Sequence, residues 1–235
     1  GVQAIKNGAF DYIVKGDDNR KIIPIVSRAM DAIAAEQKQQ SKKKDVRANT
    51  VTFGNIVGKS PALTHVISQA SKVAATDVAV LINGETGTGK ELFAQAIHNA
   101  SHRSAGAFLA LNCSAFSREL LESELFGYKE GAFTGAVKDK RGLLEEANHG
   151  TVFLDEIGEM ALELQSKLLR VLETGEFVKV GDTKTTRVDV RIISATNRNL
   201  KEEIANGRFR EDLYFRLSVF RIELPPLRQR KEDIL

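Results

Sequence analysis

The chain has 235 residues, 42% of them hydrophobic, enough apolar material for a packed core and too much for a globally disordered chain. Its 34 Lys and Arg against 31 Asp and Glu leave a net charge of +3, too mild to point to nucleic acid. A single cysteine excludes a disulfide framework and fits a reducing compartment. No apolar run reaches the ~18 residues of a membrane span and no signal-peptide layout is visible, so the expected location is cytoplasmic, with no membrane partner. The length suits one large domain with a smaller companion. The opening on Gly1 reads as mid-domain, so a fragment of a longer protein is expected.

Residues 1–35 hold an apolar strand-like run, FDYIV from Phe10 to Val14, and then a helical pattern with Ile22, Ile25, Val26, Ala29 and Ile33 on one face. One strand and one helix are too little to bury a core alone. The stretch GVQAIKNGAFDYIVKGDDNRKIIPIVSRAM resembles the C-terminal end of a flavodoxin-like response-regulator receiver domain. That resemblance implies that Lys15 matches the receiver's active-site lysine, with Gly16 where the family usually has proline, and that a sensor kinase is a partner. Residues 36–52 are polar and charged, a solvated linker.

From residue 53 to 235 strands and helices alternate. Ser60 before Pro61 sets a capping hydroxyl ahead of a proline at the first helical position, opening a helix to about Ala74. VAVLI, Val78 to Ile82, is the short continuous apolar run of a parallel strand covered on both faces. A helix from Lys90 and strands FLALN, Phe108 to Asn112, and TVFLD, Thr151 to Asp155, follow. Leu164, Leu168, Val171 and Leu172 share a face of a helix over Glu163 to Glu173, with Gly175 as its stop. VDVRIISATN, Val188 to Asn197, reads as another buried strand. This alternation predicts a three-layer α/β fold whose ligands bind at the C-terminal strand ends.

The chemistry-bearing residues fall at those ends. GETGTGKE (Gly84, Glu85, Thr86, Gly87, Thr88, Gly89, Lys90, Glu91) lies between a strand and a helix, the context of a phosphate-binding loop. Its glycines let backbone N–H groups turn toward phosphate oxygens at a helix N-terminus, and Lys90 reaches the β- and γ-phosphates. Glu91 stands where Ser or Thr usually holds Mg²⁺, leaving Thr86 and Thr88 as alternative hydroxyls. Asp155 is placed to hold Mg²⁺ and Glu156 to orient a water for in-line attack. Thr196 and Asn197 either sense a γ-phosphate or cap their own turn; Asn112 either bonds Glu156 across the strand ends or closes its own turn. Arg210 and Arg216 in FREDLYFRL are candidate phosphate ligands or merely solvated. His98 and His102 are four apart but lack a third metal ligand, and Cys113 lacks an activating base.

The order of GETGTGKE, GAFTGA, TVFLDEIGEM, the Leu168 to Asn197 hairpin region, FREDLYFRL and LPPLRQRKEDI resembles the sigma-54-dependent transcriptional activators, the enhancer-binding branch of the P-loop AAA+ ATPases. The resemblance implies ATP bound by residues 84–91, Ile56, Val57 and Gly58 at the adenine, and Mg²⁺ at Asp155. It also implies Glu156 as water activator, Asn112 as the switch that restrains it, and Thr196 and Asn197 as sensor. Arg210 and Arg216 match arginines offered to the next subunit of a ring, usually a hexamer. Gly131, Ala132, Phe133, Thr134, Gly135 and Ala136 match a finger that grips the sigma-54 subunit of RNA polymerase, with Glu130 and Lys138 beside it in solvent. Enhancer DNA is implied through a C-terminal domain absent here. Alternatives are an AAA+ remodelling ATPase with another protein or DNA client, and a non-hydrolysing regulator.

Overall fold

The computed structural model describes residues 51–234; the receiver-like stretch and most of the linker lie outside the described residues. Helix α1 spans Pro61–Ala74, and the Ser60 hydroxyl accepts from the Leu63 N–H at 3.3 Å as its cap. Strand β1 (Val80–Asn83) and helix α2 (Lys90–Asn99) flank the glycine-rich loop. There follow β2 (Phe108–Asn112), α3 (Arg118–Phe126), and a small antiparallel pair, β3 (Gly127–Tyr128) with β4 (Lys140–Arg141). Then come α4 (Leu143–Glu146), β5 (Thr151–Asp155) and α5 (Leu162–Thr174). The antiparallel hairpin β6 (Glu176–Val178) and β7 (Thr185–Arg187) leads to β8 (Arg191–Thr196), α6 (Leu200–Ala205), α7 (Glu211–Leu217) and β9 (Phe220–Glu223).

The main sheet has the order β2-β5-β8-β1-β9 and every neighbouring pair is parallel. Strand residues alternate between faces, so the continuous apolar runs feed two cores. Val80, Ile82, Phe153, Ile193 and Ala195 pack with α1 and α2 through Leu63, Val66, Phe93 and Ile97. Leu81, Leu154 and Ile192 face the other way, onto Leu125, Leu164, Leu168 and Leu213 of α3, α5 and α7. The three predicted layers are present.

Two strands are shifted from their predicted bounds. β1 starts at Val80, where pairing with Ile193 begins, and continues to Asn83. β8 covers only Arg191–Thr196, because the residues before it bond elsewhere: the Val188 N–H to Gly175 O at 2.8 Å and the Asp189 N–H to Asn148 Oδ1 at 2.8 Å. Gly175 does stop α5, in the left-handed region at φ 70°, where a Cβ would lie 2.7 Å from Val188 O.

Arg191 is the largest fully buried side chain. Its guanidinium donates to Ala74 O at 3.0 Å and Val73 O at 2.9 Å at the end of α1, where Val73 O also accepts from the Thr76 N–H at 3.0 Å. Burial pulls its pKa down from the usual arginine value, and among the described residues no carboxylate pairs with it. Arg191→Met, which keeps the length and removes the donors, is expected to lower stability by about 1–3 kcal/mol. A urea melt with an unchanged midpoint would refute that capping role.

Candidate functional site

Register sets the site before any side chain is considered. β2 and β5 align Asn112 with Asp155, and β8 and β1 align Thr196 with Asn83, so four polar strand ends meet on one edge. The phosphate loop leaves this edge from Asn83, at a point where strands adjacent in sequence diverge to opposite sides of the sheet. Gly87 and Gly89 take φ of 81° and 97°, values that L side chains rarely adopt.

Lys90 is buried, and its ammonium donates to Gly84 O at 3.1 Å and lies 3.4 Å from Glu156 Oε1. Glu156 sits at φ 49°, ψ 48°, left-handed backbone that costs a non-glycine residue about 1–2 kcal/mol and recurs at functional sites. Its second oxygen accepts from the Asn197 N–H at 3.3 Å, and Asn197 Nδ2 donates to Thr86 Oγ1 at 3.4 Å. Phosphate loop, acidic strand end and the residue that follows β8 are thus one network. Burial pushes the Asp155 carboxyl up from its usual range, and the charges of Glu156 and Glu91 push the same way. A divalent cation would reverse both effects. Among the described residues no three His, Cys, Asp or Glu side chains form a cage, so the donor set fits Mg²⁺ held by one carboxylate together with phosphate oxygens.

Several predicted residues take the structural alternative. Thr196 Oγ1 is fully buried and accepts from the Arg198 N–H at 3.0 Å, so it closes the turn while Asn197 faces the loop. Asn112 does not reach Glu156; its Oδ1 accepts from the Ser114 N–H at 2.8 Å and the Ser114 hydroxyl at 2.7 Å. This closes the turn at Cys113–Ala115, the lower-cost local bond for an Asn side chain. Thr88 donates its hydroxyl to Glu85 O at 2.7 Å, inside the loop itself. Glu91 lies on the exposed face of α2, accepting from Gln95 at 3.1 Å. Cys113 is buried, and burial, then the charges of Asp155, Glu156 and Glu159, push its thiol up to about 12. His98 is buried with Nδ1 2.9 Å from Thr151 Oγ1.

Of Ile56, Val57 and Gly58, the first two meet the phosphate loop. Ile56 and Val57, with Gly87, Thr88, Gly89, Leu92 and Phe93, line a cavity of about 220 Å³, and Gly58 is not in its wall. Four further lining residues, Asn55, Leu227, Arg230 and Asp233, carried no predicted role, although the last three lie in LPPLRQRKEDI.

Arg210 and Arg216 lie away from Lys90. Arg210 stands just ahead of α7, its guanidinium gripped by Asp212 at 2.7 and 3.0 Å and by Ser166 at 3.2 Å. Its backbone N–H donates to the buried Gln165 at 2.8 Å. Arg216 is exposed and only loosely paired, 3.6 Å from Glu173. It lines a recess with Asp77, Ala79, Val190 and Val219, residues that precede strands, so it sits at the sheet end opposite the phosphate loop.

The predicted finger is the loop between β3 and β4. Gly131 and Gly135 have φ of 78° and 103°, and nothing lies within 4 Å of a Cβ at either, so conformation and not crowding calls for glycine. The Gly131 N–H closes onto Ala136 O at 2.9 Å. Phe133 is 46% exposed and rests edge-on against Tyr128, ring centroids 4.9 Å apart. Glu130 and Lys138 are exposed, as predicted, and Lys129 pairs with Asp139 beneath the tip. The base of the finger is tied to the turn after β6: Lys129 N–H to Val180 O and Val180 N–H to Gly127 O, both 3.0 Å.

Residues 56–223 match the family model described as "Sigma-54 interaction domain". The chain is 48% identical to the regulatory protein AtoC of Escherichia coli K12 over 99% of its length, covering 50% of that protein. It is 46% identical to the transcriptional regulator NtrC of the same strain, again over 99% of this chain and 49% of the relative. The Nif-specific regulatory protein of Rhodobacter capsulatus is 57% identical over 80% of the chain and 32% of that protein. Among solved structures, NtrX of Brucella abortus in complex with ATP is similar at a TM-score of 0.76 and 40% identity, covering 99% of this chain and 48% of that one. The chain spans about half the length of the AtoC and NtrC proteins it matches. With a five-stranded parallel sheet, a glycine-rich loop ahead of a helix and the family model covering most of its length, the chain belongs to the sigma-54 interaction domain family, with a P-loop AAA+ fold.

Proposed function

We propose that this chain is the ATP-hydrolysing module of a sigma-54-dependent transcription activator, working in a ring to remodel the closed promoter complex. The carrying observation is the network from Lys90 through Glu156 and Asn197 to Thr86, which couples a phosphate site to a candidate base and a sensor. The NtrX structures in complex with ATP and with ADP support a nucleotide in the cavity beside Ile56 and Val57.

In this reading Lys90 leaves Glu156 for the β- and γ-phosphates. Glu156 then takes a proton from a water aligned for in-line attack, while Asp155 holds Mg²⁺. The cation, when bound, neutralises charge on the phosphate oxygens. Asn197, bonded to both the base and the loop, registers whether a γ-phosphate is present. The exposed Arg216 suits donation to a neighbouring subunit's phosphate better than the gripped Arg210, and Asn112 can restrain Glu156 only by giving up its present turn. The finger with Phe133 and Thr134 at its tip engages sigma-54. Control by a receiver and its sensor kinase, and binding of enhancer DNA, belong in this reading to other parts of the protein.

Glu156→Gln is expected to bind ATP and lose turnover by roughly 10²–10⁴-fold; normal phosphate release would remove Glu156 as the base. Thr134→Ala should keep hydrolysis within about twofold and lose capture of sigma-54 in the presence of an ATP transition-state mimic, a separation of roles that parallel loss of both would contradict. Arg216→Ala should lose roughly 10³-fold or more in hydrolysis. Mixing it with Lys90→Ala chains should restore part of the rate, since each then supplies what the other lacks; no recovery would argue against a donated arginine.

A further inference from the structure

The segment after β9 folds back over the phosphate loop. The Leu224 N–H donates to Asn83 O at 2.8 Å, and one short turn, Leu227–Gln229, carries the chain to Arg230, which is only 5% exposed and precedes a second turn, Lys231–Asp233. Arg230 Nη2 donates to the backbone carbonyl of Thr88 at 3.0 Å, while its Nε–H is buried with no partner among the described residues. Three residues on, the Asp233 carboxylate accepts from the Lys59 N–H, the Ser60 N–H and the Ser60 hydroxyl at 2.6, 2.9 and 2.6 Å. These bonds, with the Ser60 hydroxyl first, hold Asp233 below the usual carboxylate range. Both residues line the cavity between residues 55–57 and the glycine loop.

A phosphate loop can aim its N–H groups inward only when its carbonyls turn outward, and a buried carbonyl needs a donor. Lys90 serves Gly84 O, and the Thr88 hydroxyl serves Glu85 O, both from within the loop. Thr88 O alone of these three is served from outside, by a guanidinium 142 residues away in sequence. We propose that Arg230 is a positioning residue for the di- or triphosphate of the nucleotide: through Thr88 O it holds the loop in its anion-receiving shape. Asp233 anchors the same segment to the start of α1 and so sets the spacing between the base-side loop and the phosphate loop. This rests on the reading that the chain binds ATP.

The test is equilibrium binding to the intact protein, using a fluorescent ADP displaced by ADP or by AMP. Arg230→Ala is expected to weaken ADP about tenfold, equivalent to about 1.4 kcal/mol, and AMP less than threefold, because the loop cradles the phosphates beyond the first. Arg230→Lys, which restores a cation without the fork, should recover part of the ADP loss. Unchanged ADP affinity in a folded variant, or equal loss for ADP and AMP, would overturn the proposal. If the alanine variant fails to fold, the lysine variant decides: wild-type ADP affinity there overturns it. A wild-type protein that binds neither nucleotide would instead overturn the nucleotide reading, and this one with it.

Discussion

The arrangement of the site depends on where one ammonium group goes. A buried lysine is costly unless its charge and its three donors are met. Lys90 is met by the carbonyl of Gly84 and the carboxylate of Glu156. The first bond folds the glycine loop around it; the second draws in a glutamate whose backbone is held at positive φ. Because Glu156 also receives the Asn197 N–H, the same cation is indirectly tied to the end of β8. Any ligand that competes for Lys90 therefore disturbs all three elements together.

Much of this was legible in the residues, for identifiable reasons. The glycine loop and the strand-end acids are recognisable because their function demands particular side chains at fixed offsets. The Ser60–Pro61 start and the Gly175 stop of two helices were equally plain, since capping and left-handed backbone restrict residue choice. Thr196 and Asn197 were not separable in advance. Adjacent strand residues point to opposite faces, and only the end of the β1–β8 ladder shows which one rises above the sheet.

Arg191 and Arg230 escaped for a different reason. Both bond backbone carbonyls far off in sequence, Val73 and Ala74 in one case and Thr88 in the other. A carbonyl leaves no mark in residue type, so no pairing of letters betrays such a bond. Asn112 illustrates the converse. Its residue type suits both a cross-strand bond and a local turn, and the local bond to Ser114 is the one formed. The finger's dependence on the β6–β7 hairpin was hidden likewise, because it runs through the main chain at Val180 and through the fit of Ala132 over Gly181, where a Cβ would lie 2.6 Å away.

Arg216 and Lys90 occupy opposite ends of the same strands. A contact that brings the arginine of one copy to the lysine of another must therefore join unlike surfaces. Such contacts have a direction: each added copy offers one fresh donor and one fresh acceptor. An open row of copies always ends in one acceptor that nobody serves, and only a row that meets its own start leaves none.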